Sequence, residues 1–395
     1  MTILTLTKVD VGMLEDVGTS ANDIIQLDSN AKIPAVDGSL LTGTDTALSA
    51  SSDPTLSTNP TNGVGTKYRN TTSGEMYVCT DATAGANVWK NVGAGSGDVA
   101  PFHGAGSQYS YCAGGGYNPS NVIDRFNFSS SVTCTDVGDL YLNGNSPSGT
   151  SYGNAGASST THGYSFGGYT NTNPYNHVSI DKWTFASATA NATDVGDLTA
   201  GRRYISGCSS TTHGYGAGGY ISGTVDVIDK FPFATDSNAS DVGNLTAAHS
   251  GGQCNHSSTH GYYFRQGSTA IDKFAFASDG NAVAYGGTTY ATSVLHGAGT
   301  CSSTHGYFIN DASTSGGTIA KISFASEGNS TQPGTLSIVR AEGACGTQSG
   351  DHGYIAGSYN VLTQIDRFSF SSDGNGVDVG DLTVGRGGGM AGAQF

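Results

Sequence analysis

Residues 228–233 read Ile-Asp-Lys-Phe-Pro-Phe, and the same order of an aliphatic residue, Asp, a base and alternating aromatics returns at Ile123, Ile180, Ile271 and Ile365. A sixth copy, Ile319-Ala320-Lys321-Ile322-Ser323-Phe324, keeps the aliphatic and basic positions but lacks the Asp. Successive copies start 43 to 57 residues apart. Two further markers keep step with the first. His-Gly-Tyr begins at His162, His213, His260, His305 and His352, with Tyr109-Ser110-Tyr111 in its place in the first copy. Asp-Val-Gly-Asp/Asn-Leu begins at Asp136, Asp194, Asp241 and Asp378. Three markers in fixed order at one period define a repeated structural unit, and six copies fill residues 102–395.

Within a unit the signals are those of four short strands. The first is rich in small residues (Tyr204 to Ser210), the second is His-Gly-Tyr and its small neighbours, the third is Val225 to Phe233, and the fourth is Asp-Val-Gly-Asn-Leu. Alternation in the third strand places Asp229, Phe231 and Phe233 on one side and Ile228 and Lys230 on the other. Ser-Asp-Gly-Asn at 278–281 and 372–375 is a tight-turn sequence between the third and fourth strands. A four-stranded unit of this length is a propeller blade, so the expected fold is all-β, a six-bladed β-propeller. Small residues in the first strand suit a crowded centre, and the Phe residues and Trp183 suit the wedge between neighbouring blades. The C-terminal Gly385-Arg386-Gly387-Gly388-Gly389-Met390-Ala391 matches Gly201 to Gly207 in character. The chain therefore ends in one extra first-type strand, which completes blade one and hides the sheet edges a break in the ring would expose.

Composition agrees with this reading. Glycine supplies 60 of 395 residues, and only four of the 31 acidic residues are Glu, the remainder being the turn- and cap-favouring Asp. Hydrophobic residues make up 36%, with 20 Tyr and 15 Phe, which is enough to bury a core. The net charge of −15 opposes binding to nucleic acid or anionic lipid. No apolar run has the length of a membrane helix, and the first residues lack the pattern of a secretory signal, so synthesis in a cytoplasm without membrane insertion is expected. Cys208, Cys254, Cys301 and Cys345 fall at similar places in successive repeats. Rotation about an axis keeps such thiols apart, so the seven cysteines are expected to be free and buried rather than bridged or zinc-bound.

Residues 1–101 do not share the repeat and divide into an extended region (1–63), a small β-hairpin module (64–93) and a linker (94–101). Thr42 to Gly63 and Gly93 to Asp98 read as linkers. Asp23 to Thr42 alternates but is too short to bury a core alone, and Gly65 to Thr80 reads as a hairpin turning at Thr72-Ser73-Gly74 with Trp89 packed across it. The two pieces resemble segments of bacteriophage tail-fibre and other virion appendage proteins. The blade sequence, with Ile-Asp-Lys-Phe-x-Phe-Ala-Ser-Asp-Gly-Asn and Asp-Val-Gly-Asp-Leu-Thr-x-Gly-Arg, resembles repeats of virion structural proteins of marine phages infecting cyanobacteria and related plankton. The glycine pairs Gly115-Gly116, Gly167-Gly168 and Gly218-Gly219, each followed by Tyr, resemble the kelch type of propeller repeat. These resemblances imply a virion tail or fibre protein whose residues 1–63 dock on other tail or capsid proteins and whose propeller meets the host surface during adsorption, where the expected ligand is a host surface polysaccharide (glycan) or another envelope receptor. They also imply that a homotrimer would suit the N-terminal region.

The recurring polar residues have structural readings. Zinc needs ligands within about 2.0–2.3 Å of one point, whereas rotation spreads the five His over a ring, so each is expected to fix the turn between the first and second strands. Glycoside hydrolysis needs two carboxylates about 5–9.5 Å apart, so Asp124, Asp181, Asp229, Asp272 and Asp366 are expected to be repeated partners within their own blades. Asp-Val-Gly-Asp lacks the run of oxygen ligands that calcium needs. The Ser-x-Asp-x-Gly-x-Thr-Trp turn of sialidases and a phosphate loop do not occur. No catalytic residue, metal or cofactor is expected. Recognition is expected instead on the variable rim formed by the loops joining strands two to three and four to one. That rim carries Tyr117, Asn118, Tyr169, Asn171, Tyr175, Asn176, Arg202, Arg203, Tyr220, Tyr290, Asn310, Arg340 and Tyr359. The competing readings are an architectural connector touching only virion proteins and a polysaccharide-degrading enzyme.

Overall fold

Apolar alternation broken by Gly-, Asn- and Asp-bearing turns produces strands, and no helix forms among the described residues. The computed structural model describes residues 47–92, 105–116, 120–141, 151–170, 173–187, 189, 191–288, 298–310, 317–340, 343–358 and 362–394. The chain divides into two compact units, 1–101 and 102–395.

In the first unit β1 (Leu48–Ala50), β2 (Lys67–Asn70), β3 (Met76–Asp81) and β4 (Val88–Asn91) form one sheet in that order, with β1 parallel to β2 and the rest antiparallel. Trp89 is fully buried against the Tyr68 ring, centroids 5.6 Å apart, beside Tyr77 and Cys79. The stretch read as a linker is a working part of this sheet, because its polar groups have partners there. Tyr68 Oη donates to Ser52 O (2.9 Å), Asn70 Nδ2 to Asp53 Oδ1 (2.7 Å) and Asn87 Nδ2 to Leu56 O (2.8 Å). Residues 23–42 and 94–101 lie outside the described residues.

The first repeat of the second unit supplies β5 (Tyr109–Ala113), β6 (Val122–Asn127), β7 (Val132–Thr133) and β8 (Thr135–Asp139). The second supplies β9 (Ala155–Ser158), β10 (His162–Phe166), β11 (Ser179–Thr184) and β12 (Thr193–Asp197), and the third β13 (Ser206–Ser209), β14 (His213–Ala217), β15 (Val225–Pro232) and β16 (Ser240–His249). The fourth supplies β17 (Gln253–His256), β18 (His260–Phe264), β19 (Ala270–Ala275) and β20 (Val283–Gly287), and the fifth β21 (Gly299–Cys301), β22 (His305–Asn310), β23 (Thr318–Ser323) and β24 (Thr331–Thr335). The sixth supplies β25 (Cys345–Gln348), β26 (His352–Ser358), β27 (Leu362–Ser369) and β28 (Val377–Asp381), followed by β29 (Ala391–Gln394). Repeats two to six each fold into an antiparallel sheet in chain order. The first takes β29 as its fourth strand, giving the order β29-β5-β6-β8 with Ala391 opposite Ala113 and Gln394 opposite Ser110. β7 pairs in parallel with β28 at the outer edge of the sixth sheet.

The core lies between successive sheets rather than within one. Each His-Gly-Tyr tyrosine packs on the third-strand aromatics of the next repeat. Tyr164 stacks on Phe233 (4.9 Å), Tyr215 on Phe276 (4.7 Å), Tyr262 on Phe324 (4.7 Å) and Tyr307 on Phe370 (4.8 Å). Tyr111 does the same with Phe185 (4.8 Å), and Tyr354 of the sixth repeat meets Phe126 and Phe128 of the first (5.7 and 5.2 Å). The third strand therefore buries both faces: Phe231 packs on the second repeat while Ile228 packs toward the fourth. Burying aromatics of 150–250 Å² at each such joint is the main stabilising term.

At the inner edge the first strands touch through backbone. A Cβ added to Gly207 would sit 2.2 Å from Gly156 O, one on Gly156 2.3 Å from Gly392 O, and one on Gly392 2.3 Å from Gly346 O. Only glycine permits that approach, which explains the small-residue first strand.

Candidate functional site

The recurring charged and imidazole groups are engaged by the fold. Each described Asp of the Ile-Asp-Lys/Arg segment accepts a backbone N–H from the end of the preceding repeat: Asp181 from Tyr141 (2.9 Å), Asp229 from Thr199 (3.0 Å), Asp272 from Thr246 (3.2 Å) and Asp366 from Ser337 (3.0 Å). Asp124 takes the Thr383 N–H (3.0 Å) from the sixth repeat. These carboxylates thus tie one sheet to the next, a role the spacing did not suggest, while Asp272 also keeps a partner within its own repeat, Arg265. Arg202 pairs with Asp229 (2.9 Å), Arg386 with Asp124 (2.7 Å), and Arg265 with Asp272 (2.5 Å). The fifth repeat, with Ala320 at the Asp position, buries that side chain in an apolar cluster.

The His residues hold the first turn of repeats two to six. Ser159, Ser210, Ser257, Ser302 and Ser349 accept the backbone N–H of the His three residues on, and Nδ1 of His162, His213, His260 and His305 lies 2.8 Å from the preceding Thr Oγ1. In the Asp-Val-Gly-Asp/Asn turns the first carboxylate accepts the glycine N–H two residues on, at 3.1–3.2 Å. Among the described residues no three His, Cys, Asp or Glu side chains gather in a metal-holding group.

One place on the second unit gathers several aromatic rings around a guanidinium. The backbones of Tyr152 and Tyr169 bridge, as do Tyr169 and Asn176, and Arg203 and Tyr220. These pairs bring the β10–β11 and β14–β15 loops beside the segments leading into β9 and β13. The rings of Tyr152 and Tyr169 lie 4.9 Å apart, Tyr175 stacks on Tyr169 at 5.7 Å with an 11° interplanar angle, and Tyr204 lies 6.0 Å from Tyr152. The Arg203 guanidinium packs among three of them, 4.9 Å from the Tyr169 and Tyr220 centroids and 5.3 Å from Tyr204. Arg203 Nε is buried without a hydrogen-bond partner among the described residues. Tyr175 is 53% exposed, and the other tyrosines are half-buried. Tyr204 has φ of +60°, the only positive value at a non-glycine position among the described residues. Backbone strain of that kind costs about 1–3 kcal/mol and collects at ligand sites.

The structure thus joins five of the sequence-predicted rim residues, Tyr169, Tyr175, Asn176, Arg203 and Tyr220, into one face. Arg202 and Arg340 are corrections. Both are buried, Arg202 donating to Gly218 O (2.8 Å) and pairing with Asp229, Arg340 donating to Gly357 O (2.5 Å) and lying 3.6 Å from Asp366. A guanidinium three residues beyond the Thr or Ser that caps a buried Asp is drawn inward by that charge, so neither is available to a ligand. Tyr117, Asn118, Asn171, Tyr290 and Tyr359, and the side chain of Asn310, lie outside the described residues. Tyr152 and Tyr204 were missed by the sequence reading because they follow the fourth strand, where only a glycine-rich approach to the next sheet was visible.

The inner edge is a poor site by comparison. Its cavity, lined by Gly156, Gly207, Cys254, Gly299, Gly346 and Gly392, holds about 80 Å³, against roughly 300–1,000 Å³ for small-molecule sites. The sequence matches no known protein family model and no curated protein.

His177, which follows Asn176 in the chain, is 2% exposed, and neither ring nitrogen has a hydrogen-bond partner among the described residues. Burial pushes its pKa from 6.5 down to about 4. The folded pKa lies below the unfolded one, so the unfolded chain takes up the proton first as pH falls. Stability from neutral His177 is full above about 6.5 and declines toward about 4, by at most about 1.4 kcal/mol per pH unit. Burial lowers His162, His213, His249, His260, His305 and His352 in the same direction. Thermal unfolding at pH 7, 6 and 5 is expected to show a falling Tm, with a shallower fall in His177→Leu. Parallel curves for the two proteins would remove His177 from this account.

Proposed function

We propose that residues 102–395 form a closed, six-bladed, kelch-like β-propeller that binds a cell-surface glycan without catalysis. The observation that carries the binding reading is the convergence of Tyr152, Tyr169, Tyr175, Tyr204 and Tyr220 around Arg203. Tyrosine rings offer an apolar face for the C–H side of a pyranose and a hydroxyl for its rim, and Arg203 and Asn176 add fixed donors. Closure is supported by Tyr354 packing on Phe126 and Phe128 and by β29 completing the first sheet.

The proposal extends to biological setting. The chain is a structural protein of a bacteriophage virion, a tail fibre or appendage acting in host adsorption, with residues 1–63 docking on other virion proteins. The likeness of the N-terminal segments and the blade sequence to phage appendage proteins supports this reading.

The test is equilibrium binding of the full chain to host cells and to purified envelope polysaccharide, beside a variant with Tyr169, Tyr175 and Tyr220 all changed to Ala. Stacking contributes about 1–3 kcal/mol per ring where it has been measured for aromatic–base contacts, so loss of three rings is expected to weaken binding at least 100-fold with an unchanged fold. Saturable binding unaffected by the triple change would move the site elsewhere. Absence of binding by folded protein across host strains would make the propeller a connector between virion proteins. Release of reducing ends from the polysaccharide would instead indicate an enzyme.

A further inference from the structure

Two buried thiols meet where the first repeat meets the sixth. Cys112, the fourth residue of β5, and Cys345, the first residue of β25, are 0% and 1% exposed and 233 positions apart, and their Sγ atoms lie 2.7 Å from one another. The expectation that rotation keeps Cys208, Cys254, Cys301 and Cys345 apart does not cover this pair, because Cys112 sits on the second strand of its sheet and Cys345 on the first strand of its own; it fails instead at Cys208, which adjoins Cys254. All seven cysteines are free, Cys134 half-buried and the rest buried.

We propose that Cys112 and Cys345 are a latent disulfide that covalently joins the first and sixth repeats once the protein meets an oxidant. A bonded pair needs about 2.05 Å between sulfurs, so small side-chain movements suffice from the separation seen. The surroundings are closed to large reagents: Cys345 Sγ lies 3.7 Å from Ala391 O and 3.8 Å from Tyr111 O, and a Cβ added to Gly392 would be 3.3 Å from it. The co-reactant is therefore a small peroxide. One Cys, as thiolate, attacks the peroxide oxygen, the O–O bond breaks, and with hydrogen peroxide a sulfenic acid and one water result. The second Cys attacks the sulfenic sulfur, forming the S–S bond and releasing the other water. Two thiols and one hydrogen peroxide give one cystine and two waters, each sulfur giving up one electron. Burial raises the Cys112 thiol pKa and holds the thiolate fraction low, so the reaction is slow in the folded protein.

The other thiols have different neighbours. Cys301 Sγ accepts from Gln348 Nε2 at 3.4 Å, and Cys208 adjoins Cys254 of the following repeat. The position of the 112–345 pair gives it a distinct effect, because it links strand β5 to the sheet that carries β28, across the joint where the two ends of the repeat array meet.

The experiment uses the full chain, purified under reduction, freed of reductant and incubated with dilute hydrogen peroxide. Remaining thiols are alkylated with N-ethylmaleimide in denaturant before intact mass measurement and peptide mapping. The expected product carries five maleimide groups instead of seven, with one dithiothreitol-sensitive peptide containing Cys112 and Cys345. Its Tm is expected to rise by roughly 5 °C, from the loop-closure effect of so long a loop, and the rise is expected to vanish in Cys345→Ser. Seven maleimide groups after oxidation, or a bridge mapped to Cys208 and Cys254 with Cys112 and Cys345 still alkylated, overturns the proposal. Mapping on the unaltered chain decides the matter even if the variant does not fold.

Discussion

Removing residues 387–395 is expected to yield a chain that no longer folds cooperatively and collects in the insoluble fraction. The deletion takes β29, whose Ala391 and Ala393 are fully buried and whose register on β5 completes the first sheet. It also removes the backbone of Gly392 that packs against Gly156 and Gly346. What remains is an open edge on β5, where Tyr111, Cys112 and Ala113 are core residues. An unpaired apolar edge strand is a template for association with other chains. Soluble yield and circular-dichroism melting of the truncated and full chains measure this directly. A soluble truncated chain melting within a few degrees of the full one would show that the last strand does not hold the array together.

The second large effect is expected at the ion pair across the same joint. Arg386 donates to Asp124 Oδ2 (2.7 Å), Val122 O (2.6 Å), Cys112 O (3.2 Å) and Ser120 Oγ (3.1 Å), and Asp124 also accepts the Thr383 N–H and hydroxyl. Both side chains are 0% exposed. Arg386→Ala leaves a carboxylate buried with its charge uncompensated, which costs about 3–5 kcal/mol. The same reasoning applies to Asp124→Ala, and the double variant is expected to lose clearly less than the sum, because neither charge is then stranded. The contrast is Lys230 with Asp279, at 2.7 Å but with an Asp that is 57% exposed; breaking it is expected to cost no more than about 1 kcal/mol. Urea unfolding of the four variants decides. Equal small losses at both pairs would mean that the buried pair is not the tie between the sixth and first repeats.

Much of the repeat architecture was legible because it repeats. Periodic Ile-Asp-Lys/Arg and His-Gly-Tyr segments located the third and second strands, and the glycine-rich start of each unit located the first. The extra strand at the C-terminus was readable from its likeness to Gly201 to Gly207. What the sequence hid was the partner of each repeated residue. An Asp reads the same whether it bonds within its sheet or to the end of the previous repeat, and the partner of Asp124 is 259 positions away. The basic residues of the rim were ambiguous for a related reason. Arg202 and Arg203 are adjacent, yet the first is pulled inward to Asp229 and the second is left among tyrosines. Strand β1 was masked by its Ser/Thr-rich surroundings, whose polar groups turned out to serve the sheet rather than solvent. The tyrosine face needed the fold, since Tyr152, Tyr175 and Tyr220 come from three separate segments.

The claim that this face binds glycan is tested most directly by hydrogen–deuterium exchange of the full chain with and without host envelope polysaccharide. Added protection is predicted in peptides spanning residues 151–154, 168–177, 201–205 and 219–224, and not in the Ser-Asp-Gly-Asn turns between third and fourth strands. Protection confined to those turns or to residues 47–92, with the tyrosine face unchanged under saturating polysaccharide, would contradict it.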